Sequence, residues 1–150
     1  MANEIEVLID QSKIIETINQ LFIGTDNRDW VLVMGCFAPR VLFDMSSMGG
    51  GEPRQVSPDE IVAAWDADLK PLKAIHHQAG NYLVRVGGSK AEAFCYGIAS
   101  HYLPNTSNMN TRTFVGSYDF ELLKDDGNWR ISKFKFNLKY VDGNANLESA

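Results

Sequence analysis

Apolar residues recur at helical intervals through the start of the chain. Ile5, Ile9, Ile15, Ile18, Leu21 and Phe22 fall mostly on one face and predict a long helix, with Gly24 as its stop. A second, short helix is expected from about Arg28 to Cys36, entered through Thr25 and Asp26. A third has a strong start in Ser57-Pro58-Asp59-Glu60: a capping serine, a proline suited to the first turn, and a glutamate placed to reach back. Its apolar positions are Ile61, Val62, Trp65 and Leu69. Between the second and third helices, Arg40 to Met45 predicts a short strand running into a flexible loop, Ser46 to Gly51. After Pro71 the period changes to two. Strands are predicted over Leu72–Val86, Ala91–Leu103, Thr113–Lys124 and Trp129–Val141, with turns at Gly87-Gly88-Ser89 and Asp125-Asp126-Gly127-Asn128. Helices segregated from a mostly antiparallel sheet make the class α+β.

Alternation along the strands assigns their faces. In the last strand Phe134, Phe136, Leu138 and Tyr140 share one side, and Lys133, Lys135, Asn137 and Lys139 the other. The Ala91–Leu103 strand carries Ala91, Ala93, Cys95, Gly97, Ala99 and His101 on one face, with Phe94, Tyr96, Ile98 and Tyr102 opposite. A stripe of small side chains ending in a histidine fits either close packing against a large neighbour or the wall of a cavity. The aromatic face opposite predicts an interface between copies, a homodimer or homotrimer, unless a loop or helix covers it.

The chain has 150 residues and a formal charge of −5, which suits one domain and argues against nucleic acid as a partner. Its longest apolar stretch, Trp30 to Pro39, is too short to span a bilayer, so no membrane is expected. The first residues are acidic where a secretory signal needs a basic start, so a cytoplasmic location is expected. Cys36 and Cys95 read as buried thiols.

No phosphate-binding loop, dinucleotide fingerprint or nucleophile elbow is present. The candidate chemistry lies in three histidines and a few carboxylates. His76 and His77 are strand neighbours and point to opposite faces. Reflection about a hairpin turn centred near Gly88 puts residue 75 opposite His101 (2 × 88 − 101), which makes His77 and His101 plausible neighbours. Asp26, with Asp29 three residues on, also fits the N-cap of the second helix. Two histidines and an aspartate could form an iron-binding facial triad, but no metal is predicted because nothing else suggests oxygen chemistry.

The segment Thr25-Asp26-Asn27-Arg28-Asp29-Trp30 adds a resemblance. A long helix, Asp-x-x-Asp-Trp, a short strand, a capped helix and four long strands ending in Asp-Gly-x-Trp resemble the SnoaL-like branch of the NTF2-like superfamily, from about Ile9 to Tyr140. The resemblance implies a cystatin-like, cone-shaped α+β barrel in which a curved, mostly antiparallel sheet wraps N-terminal helices around a deep apolar pocket. The most similar enzyme pattern is scytalone dehydratase, a cofactor-independent lyase. Three positions match its catalytic residues: Asp26, which would orient a histidine; His77; and His101. The departures are at Thr25 and Met45, where the family enzyme has water-holding tyrosines, and at Gly116 and Tyr118, where it has a serine and an asparagine. Its C-terminal lid has no evident counterpart in Asp142–Ala150.

The acid/base centre thus resembles the family's while the pocket around it differs, which argues against scytalone itself as substrate. The implied activity is proton abstraction next to a carbonyl in a small, apolar, cyclic or polyketide-like molecule, with elimination of water or isomerisation and no cofactor. His77 would be the main acid/base, with Met45, Tyr118 and Phe136 on the pocket wall. Other members of the superfamily imply two alternatives: a non-catalytic ligand-binding domain, or the small subunit of a ring-hydroxylating dioxygenase.

Overall fold

The computed structural model describes residues 3–149, so Met1, Ala2 and Ala150 of the expected domain and tail lie outside it. Helix α1 (Glu4–Asp26) is capped by Asn3, whose side chain accepts from the Glu6 amide. It continues two residues past Gly24 before Arg28, in the left-handed region at φ 54°, breaks the chain direction. Helix α2 (Trp30–Gly35) is therefore shorter than expected, and its N-cap is Asp29, not Asp26. Strand β1 (Phe37–Asp44) leads into a 3₁₀ turn over Ser46–Met48, where only a flexible loop was expected. Ser47 fixes that turn to the sheet, donating to the Phe136 carbonyl and accepting from the Leu138 amide. A three-residue strand β2 (Arg54–Val56), too short to register as a pattern, precedes α3 (Pro58–Leu69). The capping box at Ser57 and Glu60 forms as its spacing predicts.

Four long strands follow: β3 (Ala74–Gly87), β4 (Lys90–Tyr102), β5 (Thr111–Asp125) and β6 (Asn128–Gly143). The curved open sheet has the order β2-β1-β6-β5-β4-β3, antiparallel except for the β1–β6 pair. No described helix is long and apolar enough to cross a membrane.

Bulges redistribute the faces. In β3, one extra residue beside Asn81 (φ 56°) moves the inward set from Ile75, His77 and Ala79 to Tyr82, Val84 and Val86. Strand β6 has two such sites, at Ser132 and Lys139. Trp129 and Ile131 point into the core before the first, and Phe134 and Phe136 after it. The second bulge turns Tyr140 to the outer face with Val115, which corrects its expected grouping with Phe134 and Phe136.

The main core joins α1 (Ile14, Ile18, Leu21) to the concave face of the sheet. Asp10, itself buried, ties the two by accepting from Trp129 Nε1 at 2.9 Å and Lys124 Nζ at 3.1 Å. Both thiols are free and buried, and burial pushes Cys36 up to about 11 and Cys95 up to about 12.

Candidate active site

The small-residue stripe of β4 does two jobs. At one end Ala91, Ala93 and Cys95 belong to the main core beneath α1. At the other, Ala99 and His101 line a cavity of about 590 Å³. Gly97 separates the two. The Tyr118 ring lies on its backbone so closely that a β-carbon there would sit 2.2 Å from Tyr118 Cε2.

The hairpin register is the one reflection gives: Ile75 pairs with His101 and His77 with Ala99. His77 and His101 are thus diagonal neighbours on one face, and both line the cavity. His76 is on the opposite face and exposed. Met45, Tyr118 and Phe136 line the same cavity, together with Phe22, Trp65 and Phe114.

Asp26 is on the last turn of α1 and does not cap α2. Its Oδ1 lies 2.6 Å from His77 Nδ1, and its Oδ2 accepts from the His77 backbone amide at 2.9 Å. A carboxylate only accepts, so in this pair the imidazole carries its proton on Nδ1 and leaves Nε2 with a free lone pair. Phe22 stacks on the ring at 5.3 Å and 17°, which restricts its rotation. The rest of the segment is also bound. Arg28 donates to the carbonyls of Leu69, the last residue of α3, and of Leu72 just beyond it, Asp29 caps α2, and Trp30 Nε1 donates to Asp66 at 3.0 Å.

His101 has different partners. Its Nδ1 is 3.0 Å from Arg112 Nη2, and the Arg112 fork is held by Glu148 at 2.9 and 2.5 Å. Burial, then the Arg112 charge, then His77, push the His101 pKa down to about 4, against the weaker pull of Glu148 and Asp26. His101 is therefore neutral over the ordinary pH range. Glu148 comes from a 3₁₀ turn over Leu147–Ser149, whose Leu147 is fully buried beside Leu69, Leu72 and Ile75. The tail is short, yet its Glu148 lines the cavity.

Arg112 and Glu148 escaped the sequence reading. Reflecting His101 about the centre of the Pro104–Asn110 loop (2 × 107 − 101 = 113) falls one residue from its true partner, Arg112. No comparable signal pointed to Glu148. Among the described residues, no group of three or more His, Cys, Asp or Glu is arranged to hold a metal ion.

The family model of the SnoaL-like domain matches residues 6–135. The chain belongs to the SnoaL-like family. Solved structures similar to this SnoaL-like chain include a protein from Kribbella flavida, with a TM-score of 0.89 at 25% identity over 96% of this chain and 99% of that one. A hexachlorocyclohexane dehydrochlorinase, LinA type 2, gives 0.80 at 17% identity over 99% and 97%. A candidate scytalone dehydratase from Novosphingobium aromaticivorans gives 0.78 at 13% identity over 91% and 89%. No curated protein matches this SnoaL-like chain. The fold is that of the NTF2-like, cystatin-like α+β cones.

Proposed function

We propose that this SnoaL-like chain is a cofactor-independent acid/base enzyme that abstracts a proton next to a carbonyl, leading to elimination or isomerisation. The observation that carries this reading is the Asp26–His77 pair at 2.6 Å on the wall of a cavity that also holds His101. His77 Nε2 takes the carbon-bound proton, and the electron pair moves onto the carbonyl oxygen, which His101 holds by a hydrogen bond. The His77 imidazolium then returns the proton, either to a departing hydroxide, giving water and a carbon–carbon double bond, or to another carbon of the same molecule. Asp26 fixes the ring and its tautomer and stabilises the transient charge.

The substrate class follows from the wall. Phe22, Trp65, Phe114, Tyr118, Phe134 and Phe136 favour a cyclic, mostly apolar molecule. It is not an anion, because Glu148 already occupies the Arg112 fork and Asp68 adds a further carboxylate to the wall. The elimination chemistry named for the dehydrochlorinase and candidate dehydratase relatives supports the same class of step.

The test is hydrogen exchange next to the carbonyl in heavy water, followed by proton NMR over a panel of small cyclic ketones and hydroxyketones. His77→Ala should slow exchange and any turnover by ~10²- to 10⁴-fold. His76→Ala, altering an exposed residue on the other face, should leave both unchanged. Binding without exchange would favour the non-catalytic ligand-binding reading, and equal losses in the two variants would remove His77 from its role.

A further inference from the structure

We propose that Arg112, held by Glu148, is a positioning residue that keeps the His101 proton on Nε2, so that His101 offers the substrate oxygen a neutral N–H. This role rests on the acid/base reading above. A guanidinium can only donate, so the 3.0 Å contact from Arg112 Nη2 makes His101 Nδ1 an acceptor. A neutral imidazole with Nδ1 accepting carries its single proton on Nε2, the nitrogen left free. Asp26 imposes the opposite arrangement on His77, whose Nδ1 is protonated. Two histidines on one cavity wall are thereby fixed in complementary tautomers, one a base and the other a donor.

The surroundings of Arg112 fit this duty. Its side chain packs over Phe114, 5.5 Å from the ring centroid, and His101 meets the same ring edge-on at 5.3 Å. Glu148 grips both terminal nitrogens, so the fork cannot swing away from His101. The Arg112 Nε is sealed from solvent and has no partner, so the guanidinium is placed for what its terminal nitrogens touch. The charged and titratable groups around His101 are Arg112, His77, Glu148 and Asp26, and the Arg112 cation opposes protonation of the ring most directly after burial. A donor that never becomes a cation can polarise a carbonyl without surrendering its proton at working pH.

The experiment reads the ring nitrogens of the three histidines by ¹⁵N NMR across a pH series, with His101 assigned through a His101→Gln variant. Wild-type His101 should show the neutral Nε2–H pattern down to about pH 5, given a titration midpoint of about 4. Arg112→Met should convert it to a mixture of tautomers and raise its midpoint by at least about one unit, toward the ordinary ~6.5. Arg112→Lys, which keeps a charged donor, should restore part of the Nε2–H form. A His101 protonated on Nδ1 in the wild type, or spectra unchanged by Arg112→Met, would overturn the proposal. The wild-type spectrum is decisive even if Arg112→Met does not fold. Because these spectra need no turnover, an Nε2–H His101 in a protein that exchanges no ketone proton would sink the acid/base reading and leave the Arg112 effect standing.

Discussion

Replacing Gly97 with alanine tests how the cavity wall is packed, independently of any reaction. The added β-carbon would lie 2.2 Å from Tyr118 Cε2 and 2.9 Å from Cδ2. Carbon atoms in contact settle near ~3.5 Å, so the ring must retreat by more than about 1 Å. Phe22 and Phe136, each 4.9 Å from it by centroid, and Phe120, stacked at 5.8 Å, limit that retreat. Overpacking a filled core costs about 2–3 kcal/mol at such a site. For a chain of this size, that lowers Tm by roughly 5–10 °C. Thermal unfolding followed by circular dichroism measures it. The sharper measurement is a double-mutant cycle: Tyr118→Ala removes the clashing ring, so combining it with Gly97→Ala should recover more than about 1 kcal/mol relative to additivity. Gly116 supplies the contrast. A β-carbon there would sit 2.1 Å from the Asn137 backbone carbonyl, so Phe136→Ala should not rescue Gly116→Ala. A Gly97→Ala protein melting within about 1 °C of wild type, or strictly additive costs in the first cycle, would refute the packing argument.

Three further outcomes are expected. Asp26→Asn should lower turnover by up to ~10⁴-fold, because an amide can donate to His77 Nδ1 and so transfer the ring proton to Nε2; rate measurements alongside Tm separate this from unfolding. The Trp129 hydrogen bond, with Lys124, holds Asp10 below its ordinary pKa of 3.8, so its contribution to stability is complete above the unfolded value and lost as pH falls through the lower folded one. Urea unfolding at about pH 6 and about pH 3 should therefore show a smaller pH difference in Trp129→Phe than in wild type. Finally, Tyr96, Ile98 and Tyr102 are 45%, 47% and 38% exposed on the outer sheet face, so light scattering should exceed the 16.8 kDa of one chain, and Tyr96→Glu with Ile98→Glu should reduce it to that mass.

Features fixed by local chemistry were legible in the sequence. The Ser57–Glu60 cap needs only its own four residues, and a turn and a count bring the β3–β4 register to within one residue, the Asn81 bulge moving the partner of His101 from His76 to Ile75. Asp26 and Asp29 were ambiguous because either spacing suits a cap. The structure separates them through Arg28, whose left-handed backbone ends one helix and leaves Asp29 to start the next. The Ser132 and Lys139 bulges were not legible, since one unpaired residue changes the facing of a strand without changing its composition. The β2 strand and the Glu148 turn were invisible for another reason. Three residues carry no period, and what holds them is contact with distant parts of the chain.

Those bulges make β6 behave like a text with two frame shifts. One continuous strand serves the helix-facing core with Trp129 and Ile131, the cavity with Phe134 and Phe136, and the outer surface with Tyr140. A residue added to the exposed Asp125–Asn128 turn alters only the length of a loop. Were Ser132 instead to pair as an ordinary strand residue, everything beyond it would fall out of phase, bringing Lys133 and Lys135 onto the cavity side and turning Phe134 and Phe136 outward. Length variation among chains built on this frame should therefore gather in the hairpin turns and at position 132, where loss of the unpaired serine keeps the alternation and removes little beyond its bond to the Glu121 carbonyl.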